Sequence, residues 1–458
     1  MNFKEFLEYK TDKPLYALIG NPVEHSVSPE LHNFVFENER IDAEYISICI
    51  EDDEFDLFIE NAKQRLMGFN VTIPYKTKIM KYLDEIDEKA DKLKSVNTVK
   101  ISNGRLLGYN TDINGIESTL KKSRLKLKDK RVVMAGNGGV AKTIAYYVLN
   151  SGAELKVFGR NLEKVNDFIK GLDSAKKNVQ GDIFDNFCLQ DADIFINATP
   201  VGMYPNEDDG FNIDSKRLKF IFDTIYNPLE TKLIKNAKEK GKRCSNGLNM
   251  LIIQAVEADK IWFNREIRES IIKKLHNKLA ADVASKRLKD KYKKDNIVLT
   301  GFMGCGKTTV GKALARRMGY KFYDLDRVIE EDQKMTINEI FEKFGEEYFR
   351  QLESQYIKNL SQLKGYVLST GGGALLSEIN YKNAERAGLV IYLKSDLEFL
   401  YKNLSGSSNR PLLNTPDPKT RIKELLEKRE PIYEKHCNLI VDAQKPIEWV
   451  VRDIIHSI

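Results

Sequence analysis

Short apolar runs alternate with helical periodicity along most of the chain. LYALIG (15–20), AEYISICI (43–50) and MGFNVTI (67–73) read as strands with helical segments between them. RVVMAG (131–136), a helical 139–150 and ELKVFG (154–159) form a β-α-β pattern, and ADIFINAT (192–199) and FIFDTIY (220–226) add two more strands. Strands that alternate with helices predict parallel sheets. A helical pattern over 264–284 leads into KRLKDKYKK (286–294), the densest basic run, after which NIVLT (296–300) is again strand-like. The basic run reads as a solvated helix end plus linker rather than a nucleic-acid patch, since only Tyr292 interleaves an aromatic ring. No internal repeat or low-complexity tract interrupts the pattern.

Composition narrows the class. At about 150 residues per domain, a 458-residue chain suggests three globular units. With 42% hydrophobic and 31% charged residues, it is a core-forming chain rather than a collagen-like, disulfide-scaffold or wholly disordered one. The net charge of +6 is weak at this length and selects no nucleic-acid partner. No run of 18 apolar residues predicts a membrane span, and MNFKEFLEYKTDK has no apolar core of a signal peptide. Cys49, Cys188, Cys244, Cys305 and Cys437 are widely spaced, as in a reduced, cytoplasmic protein, and the five histidines form no zinc motif. Nothing in the pattern selects an oligomeric state.

Candidate chemistry begins at Gly136-Asn137-Gly138-Gly139-Val140-Ala141, a G-x-G-x-x-A between a strand and a helix. Glycines there allow a tight turn and close backbone approach to a pyrophosphate, and the helix N-terminus supplies amide donors. A plain structural turn would leave the same glycines; the strand–loop–helix–strand context selects a dinucleotide site. At the end of the second strand stands Arg160 rather than a carboxylate, which suits the 2′-phosphate of NADP(H) better than the free ribose of NAD.

Seven ordered motifs over about residues 14–280 make the chain resemble the shikimate dehydrogenases: 21–29 (NPVEHSVSP), 68–76 (GFNVTIPYK), 96–98 (VNT), 108–112 (GYNTD), 197–203 (NATPVGM), 223–228 (DTIYNP) and 246–254 (NGLNMLIIQ). The resemblance implies that Ser26 and Ser28 hold the substrate carboxylate and that Lys76 is the acid/base, with Asp112 as its partner. It implies further substrate contacts at Thr72, Asn97, Asp112, Tyr226 and Gln254, and cofactor contacts at Asn137, Asn161, Thr199, Thr224 and Gly247 beside the glycine loop and Arg160. Gly159-Arg160-Asn161 departs from the family's usual Asn-Arg-Thr, keeping the arginine alone. Without the family pattern, a lysine after Pro-Tyr would be read as a solvated surface residue and Ser-x-Ser as a turn.

A second phosphate loop, 301–308 (GFMGCGKT), follows the 296–300 strand as a complete G-x-x-x-x-G-K-T. Its backbone, with Gly304, Cys305, Gly306 and Thr309, would cradle the phosphates of ATP, Lys307 would reach the β/γ oxygens, and Thr308 would ligate Mg²⁺. Cys305 is either a small tolerated residue or a reactive thiol beside an anion site. Over about 296–445 the chain resembles the shikimate kinases through 322–326 (FYDLD), 349–353 (FRQLE), 371–373 (GGG), 410–413 (RPLL) and 429–433 (REPIY). That resemblance implies Asp324 at the metal, Asp326 aligning the attacking hydroxyl, Arg350 and Arg429 on the substrate carboxylate, Gly372 against the substrate, and Arg410 in a lid aimed at the transferring phosphate. No second lid arginine follows Lys402, and no adenine-contacting arginine stands out in 440–458.

The expected fold is α/β: a two-domain dehydrogenase, with a substrate domain and a Rossmann cofactor domain, fused to an α/β/α P-loop kinase. The expected boundaries are 1–112 with 246–280 returning to it, 113–245 for the cofactor domain, 281–295 as linker and 296–458 for the kinase. The expected function is NADPH-dependent reduction of 3-dehydroshikimate to shikimate, then phosphorylation of shikimate with MgATP. The rivals are an NAD-preferring quinate/shikimate dehydrogenase fused to a kinase, and a shikimate-sensing regulator that keeps a kinase-like module.

Overall fold

A computed structural model of the chain describes residues 1–24, 26–172, 178–405 and 417–458. It divides into two compact units, 1–279 and 280–458. Among the described residues the first unit holds two six-stranded sheets and the second a five-stranded one.

The first sheet runs Glu44–Cys49, Leu15–Gly20, Gly68–Val71, Thr98–Ser102, Arg105–Tyr109, Glu85–Ile86. All six residues of Leu15–Gly20 are buried, which is why that strand reads as an unbroken apolar run. The sheet is mixed, not parallel throughout: Thr98–Ser102 lies antiparallel to Gly68–Val71 and to Arg105–Tyr109. The cause is a two-residue turn, with Asn103 at φ 50° and Gly104 at φ 75°, whose left-handed backbone matches strand twist and returns the chain as a hairpin.

The second sheet is parallel throughout, in the order Arg243–Ser245, Phe220–Asp223, Ile194–Asn197, Arg131–Ala135, Glu154–Gly159, Val179–Ile183. Strand order reverses between Arg131–Ala135 and Ile194–Asn197, so a crevice opens beyond their carboxyl ends, where open α/β sheets take ligands. After Ser245 the chain leaves this sheet. Helix Leu248–Phe263 packs on helices Ser28–Glu39 and Asp112–Lys122 and on strand Thr98–Ser102. Its Trp262 indole donates to the Val99 carbonyl at 3.0 Å.

The third sheet is also parallel, in the order Lys321–Asp324, Tyr366–Ser369, Ile297–Thr300, Leu389–Lys394, Leu439–Asp442. The segment 281–295, expected as a linker, is helical as far as Asp290. Ala280, Ala281, Ala284 and Leu288 recur at helical spacing and are buried, while Lys286 and Lys289 face outward. Arg287 is 4% exposed and its Nε donates to the Ile458 carbonyl at 2.8 Å. Lys286 and Lys289 therefore decorate one face of a helix whose other face, Arg287 included, is buried. No helix among the described residues is long and apolar enough to cross a membrane.

Leu288, fully buried, separates a free linker from a packed helix. Leu288→Ala is expected to destabilise the second unit by about 2–5 kcal/mol in denaturant unfolding, a loss that an unpacked linker would not show.

Candidate functional site

Lys76 follows Gly68–Val71 in a loop pinned on both sides. The neighbouring Tyr75 ring is 2% exposed and its hydroxyl donates to the Ile50 carbonyl at 2.6 Å, while the Lys76 carbonyl accepts from Val96 N at 2.9 Å. Lys76 Nζ thereby meets Asp112 Oδ2 at 2.6 Å, and both side chains keep partial access to solvent. Asn97 donates to the other carboxylate oxygen, Oδ1, at 2.9 Å and to Thr111 Oγ1 at 3.0 Å, and its carbonyl oxygen accepts from Thr111 N at 2.8 Å. The carboxylate is held from two sides, so the ammonium it pairs with has a defined position.

The network extends toward the serines. Asn70 donates to Thr98 Oγ1 at 2.9 Å and to the Asn97 carbonyl at 3.1 Å, and accepts from the buried Tyr45 hydroxyl at 2.7 Å. The Ser28 side chain lies near the Tyr45 oxygen. Ser26 Oγ donates to Ser28 Oγ at 3.1 Å, and Ser28 opens helix Ser28–Glu39. A continuous polar chain links Tyr45 through Asn70, Thr98 and Asn97 to Asp112 and Lys76, with Ser26 and Ser28 beside its Tyr45 end. Thr72 stands on the same strand end, with its amide donating to the Ile19 carbonyl at 2.9 Å. Gln254 lies on helix Leu248–Phe263, where its amide donates to the Leu251 carbonyl at 3.0 Å. Tyr226 follows Phe220–Asp223, and burial pushes its phenol above the ordinary range. His25, in the serine loop, lies outside the described residues.

The dinucleotide loop sits at the switch point of the second sheet. Gly136 has φ 107°, and a Cβ there would stand 2.6 Å from the Ala198 carbonyl oxygen, so only glycine fits. A Cβ on Gly138 or Gly139 would meet nothing within 4 Å, which leaves bare backbone at the N-terminus of helix Gly139–Asn150. That open cradle suits a pyrophosphate. Asn137 lies beside Gly159, Val140 is 37% exposed, and Arg160 is exposed at the end of Glu154–Gly159. Asn161 caps helix Leu162–Lys170, accepting from Lys164 N at 3.0 Å. Thr199 donates to Asn197 Oδ1 at 2.6 Å, and Asn197 donates to Asp223 at 3.0 Å, which also accepts from Thr231 at 2.6 Å. Burial pushes the Asp223 carboxyl up to about 6. Thr224 N donates to the Asn197 carbonyl at 3.0 Å, and Gly247 lies directly against the Thr224 carbonyl. This buried cluster shapes the loop, yet Asp223 stood out in the sequence only as part of a longer motif and Thr231 lies in no motif.

In the second unit Gly306, at φ 94°, turns the phosphate loop into helix Lys307–Met318. Lys307 is buried and folds back onto the Gly301 and Phe302 carbonyls at 2.7 and 3.0 Å. Thr308 donates to Asp324 at 2.7 Å, two hard oxygen donors side by side, as Mg²⁺ requires. Gly304 precedes Cys305, whose thiol is 1% exposed and 3.9 Å from Lys307 Nζ; buried there, it is a packing residue rather than an accessible nucleophile. Thr309 is exposed and lines, with Thr308, Lys312, Arg316 and Pro446, a groove of about 530 Å³. The groove's Lys312, Arg316 and Pro446 carry no motif and were not singled out by sequence.

Asp326 lies in the first turn of helix Leu325–Gln333, just past Asp324. Burial, and next the Asp324 charge, push its carboxyl upward. Arg350 pairs with Glu353 at 2.6 Å and Glu346 at 2.8 Å. Burial pushes the Glu353 carboxyl up to about 7 against the pull of Arg350. The glycine loop closes this space: a Cβ on Gly371 would lie 2.8 Å from Asp326 Oδ1, and one on Gly373 would lie 2.8 Å from Arg350 Nη1. Gly372 accepts through its carbonyl from the Tyr433 hydroxyl, and the Arg429 charge lies near that hydroxyl. The fold thus gathers Asp324, Asp326, Arg350 and Gly372 around the strand ends of the third sheet, with Arg429 on the helix that carries Tyr433. Arg410 and the rest of the expected lid at 406–416 lie outside the described residues.

Comparison with known proteins falls on the same segments. Residues 18–99 match the model of the shikimate dehydrogenase substrate binding domain, 118–223 that of shikimate / quinate 5-dehydrogenase, and 303–458 that of shikimate kinase. A shikimate dehydrogenase (NADP(+)) of Methanocaldococcus jannaschii is 39% identical over 265 residues, 56% of this chain and 94% of that protein. The crystal structure of a chorismate mutase/shikimate 5-dehydrogenase fusion protein from Clostridium acetobutylicum has a TM-score of 0.55 at 33% identity, covering 60% of this chain and 100% of that one. A shikimate dehydrogenase crystallised in complex with NADP+ has a TM-score of 0.53 at 38% identity, covering 58% and 94%. The chain therefore belongs to the shikimate dehydrogenase family and continues into a shikimate kinase domain, as a fusion of the two.

Proposed function

We propose that the chain is a bifunctional enzyme of the shikimate pathway, which reduces 3-dehydroshikimate to shikimate with NADPH and phosphorylates the shikimate 3-hydroxyl with MgATP. The observation that carries this reading is the Lys76–Asp112 pair, 2.6 Å apart in a dehydrogenase framework, on the same chain as a complete phosphate loop beside Asp326. The product of the first site is the substrate of the second.

In the first site, Ser26 and Ser28 donate to the substrate carboxylate, and Thr72, Asn97 and Gln254 orient the ring hydroxyls. Tyr226 forms part of the same wall. The nicotinamide supplies the hydride when bound, its pyrophosphate on the bare backbone of Gly138 and Gly139 and its 2′-phosphate at Arg160. Lys76 gives a proton to the carbonyl oxygen as the carbinol forms, and Asp112 holds the ammonium in line and receives the proton network. Asn97 keeps Asp112 from turning away.

In the second site, Arg350 and Arg429 hold the carboxylate, and Gly372 lets the ring lie against the backbone. Asp326 accepts a hydrogen bond from the attacking hydroxyl; a buried carboxyl with its affinity for protons raised is suited to take that proton. Thr308 and Asp324 would hold Mg²⁺, which neutralises phosphate charge when bound. Lys307 leaves the loop carbonyls to meet phosphate oxygens.

Purified protein given 3-dehydroshikimate, NADPH and MgATP is expected to yield shikimate 3-phosphate; accumulation of shikimate alone would reject the second activity. Lys76→Ala is expected to lower dehydrogenase kcat at least about 100-fold and leave the phosphotransferase unchanged, and Asp326→Ala to do the reverse. Equal loss of both in folded protein would contradict separate sites. Arg160→Ala is expected to raise the KM for NADP+ about 10- to 100-fold and to leave that for NAD+ nearly unaltered, in steady-state assays with each cofactor.

A further inference from the structure

Helix Pro418–Lys435 reaches the glycine loop at two points. One is the Tyr433 hydroxyl on the Gly372 carbonyl. The other is His436, which ends the helix. Its Nδ1 stands 2.8 Å from the Leu375 carbonyl and its Nε2 stands 2.9 Å from Glu378 Oε2. The residue is 4% exposed, and its ring lies flat on Tyr381, with centroids 4.5 Å and planes 3° apart. A carbonyl and a carboxylate only accept, so both contacts form only when both ring nitrogens carry hydrogen. A neutral imidazole has one N–H and turns a lone pair on one of its two partners.

The turn that His436 grips directly follows the glycine loop packed against Asp326 and Arg350, and the helix that His436 ends carries Arg429. We propose that His436, as an imidazolium, is a positioning residue for the phosphotransferase: by bridging helix Pro418–Lys435 to the turn after the glycine loop, it sets the spacing of Arg429 from Arg350 and Asp326. This rests on reading the second unit as the module that phosphorylates shikimate.

The surroundings keep Glu378 available as an acceptor for the ring. Glu378 opens helix Glu378–Ala387, and its carboxylate also faces Lys382 at 3.5 Å and Lys435 at 4.0 Å. The His436 hydrogen bond, then those two lysines, hold the Glu378 carboxyl below the ordinary range, so it remains an acceptor. Tyr381, on the ring face, donates to Glu385 at 2.9 Å, and Cys437 lies beside Tyr381. The double contact needs a hydrogen on each ring nitrogen, so the grip is lost when the ring gives one up.

The test measures shikimate phosphorylation by the full chain from about pH 6 to about pH 8.5. In the unaltered chain the KM for shikimate is expected to rise with pH by about 2- to 10-fold, the worth of one hydrogen bond. His436→Phe is expected to hold that KM at the high value at every pH, with the dehydrogenase reaction unchanged. Glu378→Gln provides an amide that donates to a neutral Nε2 while Nδ1–H keeps Leu375, so its KM is expected to stay low and flat. A fall in melting temperature with KM and its pH trend unaltered in His436→Phe would overturn the proposal. So would Glu378→Gln that keeps the unaltered pH trend. Turnover by the unaltered chain tests the phosphotransferase reading separately. If turnover is absent, that reading fails, and shikimate binding by calorimetry across the same pH range and variants still decides whether the clamp exists.

Discussion

A parallel strand covered on both faces can offer a ligand only its end. That constraint organises this molecule at each of its three sheets. Leu15–Gly20, Arg131–Ala135 and Ile297–Thr300 are central strands, buried along nearly their whole length, and each delivers the chain to a loop that carries polar groups. In the second and third sheets the loop is a run of glycines opening a helix. In the first it is the serine loop opening helix Ser28–Glu39. Bare backbone amides suit phosphates because they need no side chain to be ordered; a small hydroxy acid needs hydroxyls and amides of defined direction.

Those directions come from buried hydrogen-bond networks rather than from the residues at the front. Asn97 and Thr111 orient Asp112, which in turn holds Lys76; Asn70 ties Tyr45 to the same cluster. Asn197, Asp223 and Thr231 do likewise beneath the dinucleotide loop. Inside protein such bonds have fixed geometry because no water competes for them, and a missing partner there costs more than an unmade bond at the surface. In the second unit Glu353 stands behind Arg350, and Tyr433 holds the glycine loop from below.

The central strands Leu15–Gly20, Arg131–Ala135 and Ile297–Thr300, both glycine loops and Arg160 are legible in the sequence, because local rules produce them: apolar runs, glycines at positive φ, and helix N-termini. The other four strands of the third sheet were not read from it. The hairpin at Asn103-Gly104 was equally local, and reading the whole pattern as alternation of strand and helix passed over it. The basic run at 286–294 shows the opposite limit. Its charges look like a linker one residue at a time, while the alanine and leucine stripe beneath them becomes core only when a second surface covers it.

By itself the sequence determined the central apolar strands, the two glycine loops that follow them, and which side chains of the right chemistry are present. Tertiary structure decided which of them meet. Lys76 and Asp112 are 36 positions apart and touch at 2.6 Å; His436 reaches Leu375 across 61 positions at 2.8 Å; Arg287 reaches Ile458 across 171 at 2.8 Å. Contacts of that kind depend on how whole sheets and helices pack, a global balance of burial against chain entropy that no local spacing encodes.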